Sequence, residues 1–464
     1  MRRQNIFNLL RRNLSSSSSS ARIVHRDRKL FMIESDPTAP LSHLEPGKKI
    51  IIGERTDGVV LFQRSGFYFA TSTNNEDDHI QLTGEDYNIR ISMNNTHIDS
   101  TGKTYDDLEE TAVVVPWMRI QPQQMERQVI WEWLPTGLIM MDSLTPMGRG
   151  QSMLLVSKNM STTRDMKRIM NNVSTAQTRF DTKIFRVHAK LNSSSLLEEN
   201  DHDVENVDVV VNAVAAAADD DDDTDVSALL AAHTACTVGE NKRDEKKLEN
   251  NHVIVFLDDM TPLRRLWKRA GDMIATFRGT SCNESSIMED LTEMRHYYSP
   301  LLQRAACMSS SKGGGTMSIL ASMPYEENKE EDNGIEIELD ENNMPASVRE
   351  RLSLIRDRGI ELNAETLRKI GLEMYIPKSV KNHSLRHCEE LKSICDGHVE
   401  VLQDSDRILC PASSLTRIGM ATKSGKDIKD VRPPALQSMA RGLRVRSCVL
   451  FLFYTRFVVV GTFV

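Results

Sequence analysis

A polar turn between an apolar strand and an amphipathic helix is the stretch best placed to do chemistry. The strand is predicted over residues 153–156 and the turn over residues 157–164. The helix that follows is indicated by a stripe of apolar residues with helical spacing. The stripe consists of Met166, Ile169, Met170 and Val173. Free N–H groups at a helix N-terminus bind phosphate, and nucleotide-binding proteins use this kind of junction. The pattern therefore predicts the scaffold of a nucleotide site.

The turn itself lacks the features that grip phosphate. A phosphate loop needs glycines that let successive N–H groups converge, a lysine for the phosphate charge and a hydroxyl for Mg²⁺. None of residues 157–164 is a glycine. The candidate residues of this degenerate loop are Ser157, Lys158, Thr162, Thr163 and Arg164. Lys158 and Arg164 are cationic, so weak binding of an anion by this turn is the alternative. Capping-box-like spacing between Thr162 and Asp165 predicts that the helix caps itself instead.

A second candidate site is the acidic end of an apolar segment, residues 252–260 (HVIVFLDDM). A buried strand here would deliver Asp258 to the carboxyl end of the sheet, beside the phosphate turn. A carboxylate at that position holds Mg²⁺ through water. Strands that end in an acid are common, so this motif is specific only together with its surroundings. The pattern that follows, residues 261–277, predicts a basic amphipathic helix with a structural role.

Composition restricts the class and the compartment of the protein. The 464-residue chain has a net charge of -8, which argues against a general nucleic-acid binder. Its seven cysteines show no C-x-x-C spacing and are typical of reduced thiols inside a cell. Residues 1–24 are rich in arginine and serine and contain no acid, which predicts a mitochondrial transit peptide with cleavage near Ala21. A disordered basic tail is the alternative.

Patterning divides the remaining chain into two domains. Short apolar runs broken by turn residues predict a small β-barrel or sandwich over residues 25–95. An α/β core is predicted over residues 96–445, with inserts at about 193–225 and 325–392. Residues 446–464 form an atypical apolar tail, which is short for a membrane span.

The two inserts have different characters. The first has low complexity and ends in an unbroken acidic run, residues 219–223, which predicts a solvated loop because like charges repel. The second contains a helix-like pattern over residues 345–374. That pattern suits either a helical hairpin that binds a partner or a surface insert that packs on itself.

The stretch ahead of the strand, residues 135–151 (PTGLIMMDSLTPMGRGQ), resembles a motif of the alpha subunit of the rotary (F-type) ATP synthase. In that family, PTG, three residues and VDSL-x-P-x-GRGQ lead into the phosphate loop GDRQTGKT. Here the glycine positions of the loop hold Ser157 and Thr162, the lysine position holds Thr163, and the hydroxyl position holds Arg164. Looser likeness extends from about residue 88 to residue 444.

The resemblance implies a fold, a cofactor and partners. The fold is a RecA-like P-loop NTPase core preceded by a small β-barrel, and the ligand is ATP or ADP with Mg²⁺. The partners are the beta subunit and other subunits of the catalytic head, peripheral to the matrix side of the mitochondrial inner membrane, with no nucleic acid. We expect the family's C-terminal helical domain to be missing. Residues 278–290 share almost nothing with the family's loop RRPPGREAYPGD.

One arginine is a candidate catalytic residue through the same resemblance. Residues 411–419 (PASSLTRIG) are similar to the family's PAINVGLSVSRVG, although four residues shorter, and Arg417 matches its arginine. In the family that arginine reaches the γ-phosphate in a neighbouring beta subunit, where a planar guanidinium suits transition-state charge. An exposed or ion-paired arginine is the alternative for Arg417.

Two functions from different classes follow. The first is an alpha-like subunit of the proton-transporting ATP synthase head that has lost its own nucleotide and supplies Arg417 in trans. The second is a non-enzymatic assembly or regulatory protein derived from the alpha subunit. In both hypotheses the chain alone is not catalytic.

Overall fold

The computed structural model describes residues 20–35, 41–52, 56–72, 79–92, 97–102, 112–157, 163–179, 184–191, 207–213, 223–245, 251–279, 285–324, 383–401 and 409–416, with a few single residues between 345 and 438. Within these ranges, no helix is both long enough and apolar enough to cross a lipid bilayer.

Six antiparallel strands close into a barrel in the order β1-β2-β5-β4-β3-β6. They are β1 (Ser20–Asp27), β2 (Leu30–Ser35), β3 (Lys48–Ile52), β4 (Thr56–Arg64), β5 (Phe67–Ser72) and β6 (His79–Asp86). Alternation along each strand gives the barrel two apolar faces. In β2, Phe31 and Ile33 belong to a cluster confined to the barrel, whereas Leu30 and Met32 join the main core. The predicted barrel is confirmed.

The barrel begins earlier than residue 25, the boundary that the sequence predicts. The first strand begins at Ser20, and Ala21 is buried between its partners Ser35 and Ile80 on either side. The predicted cleavage near Ala21 therefore falls inside a strand of the barrel. Composition did not indicate this strand, because Ser20 and the exposed Arg22 fit the serine- and arginine-rich pattern of a transit peptide.

The core is a nine-stranded sheet in the order β19-β18-β12-β17-β15-β13-β14-β8, with β16 paired to β17. Its strands are β8 (His97–Asp99), β12 (Ser152–Ser157), β13 (Ile184–Lys190), β14 (Val209–Asn212), β15 (His252–Leu257), β16 (Ala306–Cys307), β17 (Thr316–Pro324), β18 (Gly397–Val401) and β19 (Leu409–Thr416). All pair in parallel except β16 and β19. Two antiparallel ribbons complete the described strands: β7 (Asn88–Ser92) with β9 (Ala112–Pro116), and β10 (Trp133–Leu134) with β11 (Met147–Gly148).

Helices cover both faces of the sheet, as parallel sheets require. The α-helices are α1 (Ile139–Leu144), α2 (Thr163–Arg179), α3 (Thr224–Arg243), α4 (Thr261–Arg278), α5 (Ser285–Leu302) and α6 (His383–Ile394). Along β12, Met153 and Leu155 pack with α2 on one face, and Leu154 and Val156 belong to the core that contains α3 on the other. The predicted strand is confirmed, and so is the stripe of α2, whose four residues are all buried.

The barrel is fixed to the core through α4. Arg269 donates to both oxygens of Asp223, at 2.8 and 2.9 Å, and to Asp27 of β1 at 2.9 Å. Beside this ion-pair cluster, Phe62 of the barrel packs against Trp267 and Tyr297, with ring centroids 5.8 and 4.9 Å apart. Charge and aromatic packing together join the two domains.

Both predicted inserts are too wide. The first predicted insert, residues 193–225, contains the core strand β14 (Val209–Asn212). It also contains Asp223, which caps α3 by accepting from the N–H of Val226 at 3.3 Å. The second was predicted to reach residue 392, but α6 packs from residue 383 against α5. Low complexity and charge in the surrounding residues masked these short elements. The helix-like pattern over residues 345–374, apart from single residues, and the tail over 446–464 lie outside the described residues.

Candidate functional site

The carboxyl edge of the sheet brings the two predicted motifs close together. Strand β12 ends at Ser157, which is fully buried and lies opposite Pro324 of β17 and Val401 of β18. Strand β15, which ends one residue before Asp258, pairs with the other side of β17. One strand therefore separates the predicted phosphate turn from the predicted Mg²⁺ carboxylate.

The predicted phosphate turn is described only at its two ends. Ser157 closes β12, and the backbones of Thr163 and Arg164 form the start of α2. Lys158 and Thr162 lie outside the described residues. The helix thus begins where the pattern predicts, and anion binding by this turn stays a prediction.

The motif over residues 135–151 supports α2 through buried hydrogen bonds. The carboxylate of Asp142 accepts from the backbone N–H and the hydroxyl of Thr136, at 2.9 and 2.8 Å. Burial raises the pKa of Asp142, while these bonds oppose the increase. The amide of Gln177 in α2 donates to the carbonyl of Pro135 at 2.6 Å. Conformation explains the glycine of PTG: Gly137 has a φ of +74°, and a Cβ there would lie 3.0 Å from that of Ala176.

The end of the same motif seats β12 against the neighbouring strands. Gly150 has a φ of +100°, and its N–H donates to the hydroxyl of Ser318 at 2.8 Å. A Cβ on Gly150 would lie 2.6 Å from the backbone nitrogen of Cys307. The side chain of Gln151 accepts from the N–H of Gly148 at 2.8 Å. This most specific part of the sequence thus builds a tight turn at the start of β12.

Asp258 is held inside the protein by its neighbours. Only 2% of its surface is exposed, and its Oδ1 accepts from the N–H of Leu191 at 2.8 Å. Its Oδ2 lies 3.8 Å from Nε2 of the buried His188 in β13. The hydroxyl of Ser322 in β17 donates to the Asp258 carbonyl. The strand therefore delivers Asp258 to the predicted edge, but the carboxylate is engaged by β13 and the residue after it.

Burial raises the pKa of Asp258 to about 7. The hydrogen bond from Leu191 opposes this increase, the negative charge of Asp259 adds to it, and the positive charge of Lys167 opposes it. Lys167 lies on α2, one turn beyond the position where a phosphate loop carries its lysine. Sequence reasoning missed Lys167, because its helical position is interpretable only once α2 is placed over the sheet.

The second acidic residue of the strand end has a local role. Asp259 accepts from the N–H of Thr261 at 2.8 Å and so satisfies one of the free donors at the start of α4. Both aspartates are therefore hydrogen-bonded to backbone. Sequence analysis assigns neither His188 nor Leu191 a contact with Asp258, because both are distant from it in the chain.

The described donors fit Mg²⁺ poorly. Mg²⁺ needs ionised or polar oxygens in octahedral geometry, usually with several waters. Asp258 offers a buried carboxylate with a raised pKa and one oxygen already engaged. Across the described ranges, no group of three or more His, Cys, Asp or Glu side chains could hold a metal ion. Coordination of Mg²⁺ by Asp258 stays a prediction, and the geometry favours a structural role.

The structure does not describe Arg417, but it describes the strand before it. Thr416, the last residue of β19, pairs with Gly397 at the amino end of β18. Ser157 pairs with Val401 at the opposite end of the same strand. Strand β19 therefore ends at the edge of the sheet opposite to the edge at which β12 ends.

A closed six-stranded barrel followed by a parallel sheet covered with helices defines a barrel domain plus a core of the nucleotide-binding type. No protein-family model matches the chain. Comparison with curated proteins shows that it is distantly related to ATP synthase alpha subunits.

The relationship is seen in several bacterial proteins. The chain is 26% identical over 268 residues to ATP synthase subunit alpha of Ehrlichia ruminantium (strain Gardel), which covers 53% of the chain and 48% of the relative. It is 26% identical over 286 residues to ATP synthase subunit alpha 1 of Listeria welshimeri, covering 58% and 53%. With ATP synthase subunit alpha of Desulfovibrio desulfuricans, identity is 24% over 255 residues, covering 53% and 46%. The chain spans about half the length of the curated relatives it matches.

Proposed function

We propose that this chain is an alpha-like, structural or regulatory subunit of a proton-transporting ATP synthase head that does not use a nucleotide of its own. The distant relationship to alpha subunits supports the alpha-like part. The loss of the nucleotide rests on one observation: the Asp258 carboxylate is buried and bonded to the N–H of Leu191. The absence of glycine from residues 157–164 supports it further. ATP or ADP with Mg²⁺ is then a ligand of the partner's site.

The partner is a beta-type subunit, and the contribution of this chain is Arg417. A guanidinium supplied in trans stabilises the charge that develops on a transferring phosphoryl group. The register of β19 supports action in trans, because Thr416 pairs at the amino end of β18, away from Ser157. The location proposed for the complex is the matrix side of the mitochondrial inner membrane.

A non-enzymatic assembly or regulatory factor is the second candidate. It is favoured by residues 278–290, which share almost nothing with the family loop near the subunit interface. Such a factor would bind beta-type subunits transiently and would not be found in the finished head.

Affinity purification of the tagged chain from mitochondria, with detection of the beta subunit, separates the candidates. A tagged matrix protein of similar size is the control for nonspecific capture. A subunit co-purifies with beta and migrates with the intact head on a native gel. Recovery of beta without the intact head supports the assembly factor, and recovery without beta contradicts both candidates.

The loss of the nucleotide has its own test. Calorimetric titration of the purified chain with Mg-ATP is expected to show no saturable binding. Saturable binding that disappears in Asp258→Asn would overturn this part of the proposal, because it would place Asp258 at a working Mg²⁺ site.

A further inference from the structure

An open cavity of about 500 Å³ lies at the amino edge of the central sheet. Its wall includes Ser152, the first residue of β12, and Asp396, which directly precedes β18. The connection from α5 to β16 supplies Ala305, and the loop between β9 and β10 supplies Arg127. The volume is within the range of small-molecule sites. The predicted phosphate turn follows the opposite end of β12, so this cavity is separate from it.

Arg127 is a partly exposed cation of the cavity wall, and no carboxylate of the described residues forms an ion pair with it. Its Nε donates to the carbonyl of Pro122 at 2.9 Å. Its terminal nitrogens donate to the carbonyls of Ala305 at 3.4 Å and Gln303 at 2.6 Å. A guanidinium has five N–H donors, so two remain for a ligand. The carbonyls hold the guanidinium in place without cancelling its charge, which suits it to bind a carboxylate.

Asp396 adds a negative charge to the same wall. Its Oδ2 accepts from the N–H and the hydroxyl of Ser152, at 2.9 and 3.2 Å, and its own N–H donates to that hydroxyl at 3.1 Å. A carboxylate offers about four acceptor sites, more than Ser152 uses. Asp396 is partly exposed. Ser152 therefore orients a carboxylate that can also accept from the ammonium group of a ligand.

The two charges line one cavity without pairing directly with each other. Burial lowers the pKa of Arg127, the negative charge of Asp396 opposes this decrease, and the positive charge of Arg243 adds to it. Asp396 is thus near the guanidinium but beyond ion-pair distance. A simple anion would be repelled by Asp396, and a simple cation by Arg127. A ligand that carries both charges can pair with each group, so the wall favours a zwitterion.

The remaining wall is partly aliphatic. Ile394, at the end of α6, lines the cavity and is 9% exposed, whereas Ile120 lines it and is 88% exposed. Aliphatic surface that stays in contact with water is covered favourably by an apolar group of a ligand. An uncharged aliphatic side chain therefore suits the part of the cavity beside the two charges.

We propose that this cavity binds a free α-amino acid with an aliphatic side chain, its carboxylate on Arg127 and its ammonium group on Asp396. The side chain of the ligand lies against Ile120 and Ile394. The site does not depend on the proposed subunit function, because neither Asp258 nor Arg417 belongs to its wall.

The test uses L-leucine and two probes of the same shape that each lack one charge. One is 4-methylpentanoate, which has no ammonium group, and the other is 3-methylbutylamine, which has no carboxylate. Affinities are measured by ligand-observed NMR on the full chain. The parent is expected to bind L-leucine about tenfold more tightly than either probe, the effect of one charge-assisted hydrogen bond.

Asp396→Asn keeps an oxygen for Ser152 and removes the charge. L-leucine is expected to bind this variant about tenfold more weakly, whereas binding of 4-methylpentanoate is not weakened. Asp272→Asn, which neutralises an exposed carboxylate outside the cavity wall, is the matched control and leaves both affinities unchanged.

Arg127→Lys tests the other end of the ligand, because lysine keeps the charge but not the planar fork of donors. It is expected to weaken L-leucine and 4-methylpentanoate by similar factors and to leave 3-methylbutylamine unchanged. If circular dichroism shows that this variant does not fold, the Asp396→Asn comparison decides. The proposal is overturned if L-leucine shows no saturable binding, or if Asp396→Asn weakens L-leucine and 4-methylpentanoate equally or weakens neither. Unchanged binding of L-leucine to folded Arg127→Lys also overturns it.

Discussion

The carboxylate of Asp258 accepts a 2.8 Å hydrogen bond from the backbone N–H of Leu191 and thereby ties the end of β15 to the residue that follows β13. The two strands are neighbours in the sheet and pair as far as Ala189 and Leu257. The bond between the Asp258 side chain and the Leu191 backbone continues this connection beyond the ends of the strands. In a working Mg²⁺ site the same carboxylate would face water and metal. Here it closes a connection inside the fold.

The first prediction concerns the pH dependence of stability. The pKa of Asp258 is about 7 when folded, against about 3.9 for an unfolded aspartate, so the folded state holds a proton that the unfolded state has lost between these values. Asp258 therefore makes stability fall as pH rises from about 4 to about 7, with no further change above. Asp258→Asn removes this loss and is expected to be more stable than the parent at pH 8, by roughly 2–4 kcal/mol.

The measurement is the thermal unfolding midpoint at about pH 5.5 and about pH 8, bracketing the titration. The advantage of Asp258→Asn should grow from the lower to the higher pH. Asp57→Asn, which breaks an exposed 2.9 Å pair with Lys49, is the control and should change stability by less than about 1 kcal/mol at either pH. An advantage that shrinks toward pH 8 would contradict a raised pKa.

The second prediction tests the turn that seats β12. Gly150→Ala places a Cβ 2.6 Å from the nitrogen of Cys307 and strains a residue with a φ of +100°. The expected loss of stability is roughly 3 kcal/mol, from strain and overpacking together. Gly66→Ala is the matched control, because Gly66 also has positive φ (+83°) but nothing within 4 Å of a Cβ. Gly66→Ala should cost about 1 kcal/mol. Equal midpoints in differential scanning calorimetry would refute the role of the close contact.

The third prediction concerns a buried ion pair under α3. Arg304 is fully buried and donates to both oxygens of Glu240, at 2.9 and 2.7 Å. In Arg304→Met, the ion pair that remains for Glu240 is the longer one with Arg119, whose Nε lies 3.9 Å away. The free energy of unfolding should fall by roughly 3–5 kcal/mol. The double variant with Glu240→Met also removes the stranded charge and should be more stable than Arg304→Met alone. A double variant that unfolds at a lower temperature than Arg304→Met would show that packing, rather than charge, dominates.

The fourth prediction tests Arg417 in the proposed complex. Arg417→Ala in a reconstituted head should lower ATP turnover by about 10³-fold or more at the sites that depend on it, the scale of arginine fingers. Arg417→Lys should remain impaired, because lysine keeps the charge but not the planar fork of donors. Arg441→Ala, at an arginine later in the chain to which the resemblance assigns no role, is the control. If ATP turnover is unchanged in Arg417→Ala while the beta subunit is still bound, Arg417 does not act at the site of the partner.

Much of the core could be predicted because its elements are long and periodic. The strand before Ser157 and the stripe of α2 were recognisable from apolar spacing alone. Short elements inside biased sequence were not recognisable: β14 has four residues within a segment of low complexity, and β1 starts in an arginine-rich segment. Local composition dominates such windows, and only pairing with distant strands makes these residues structural.

The sequence by itself determined the distant relationship to alpha subunits and the absence of glycine from residues 157–164, because residue identity and spacing carry both. The tertiary structure alone decided what Asp258 does. Its position at the end of an apolar strand predicts Mg²⁺ chemistry, yet the N–H of Leu191 and the ring of His188, distant in sequence, surround the carboxylate. Burial and hydrogen bonding, which depend on neighbours brought together by folding, set the chemistry of such a group.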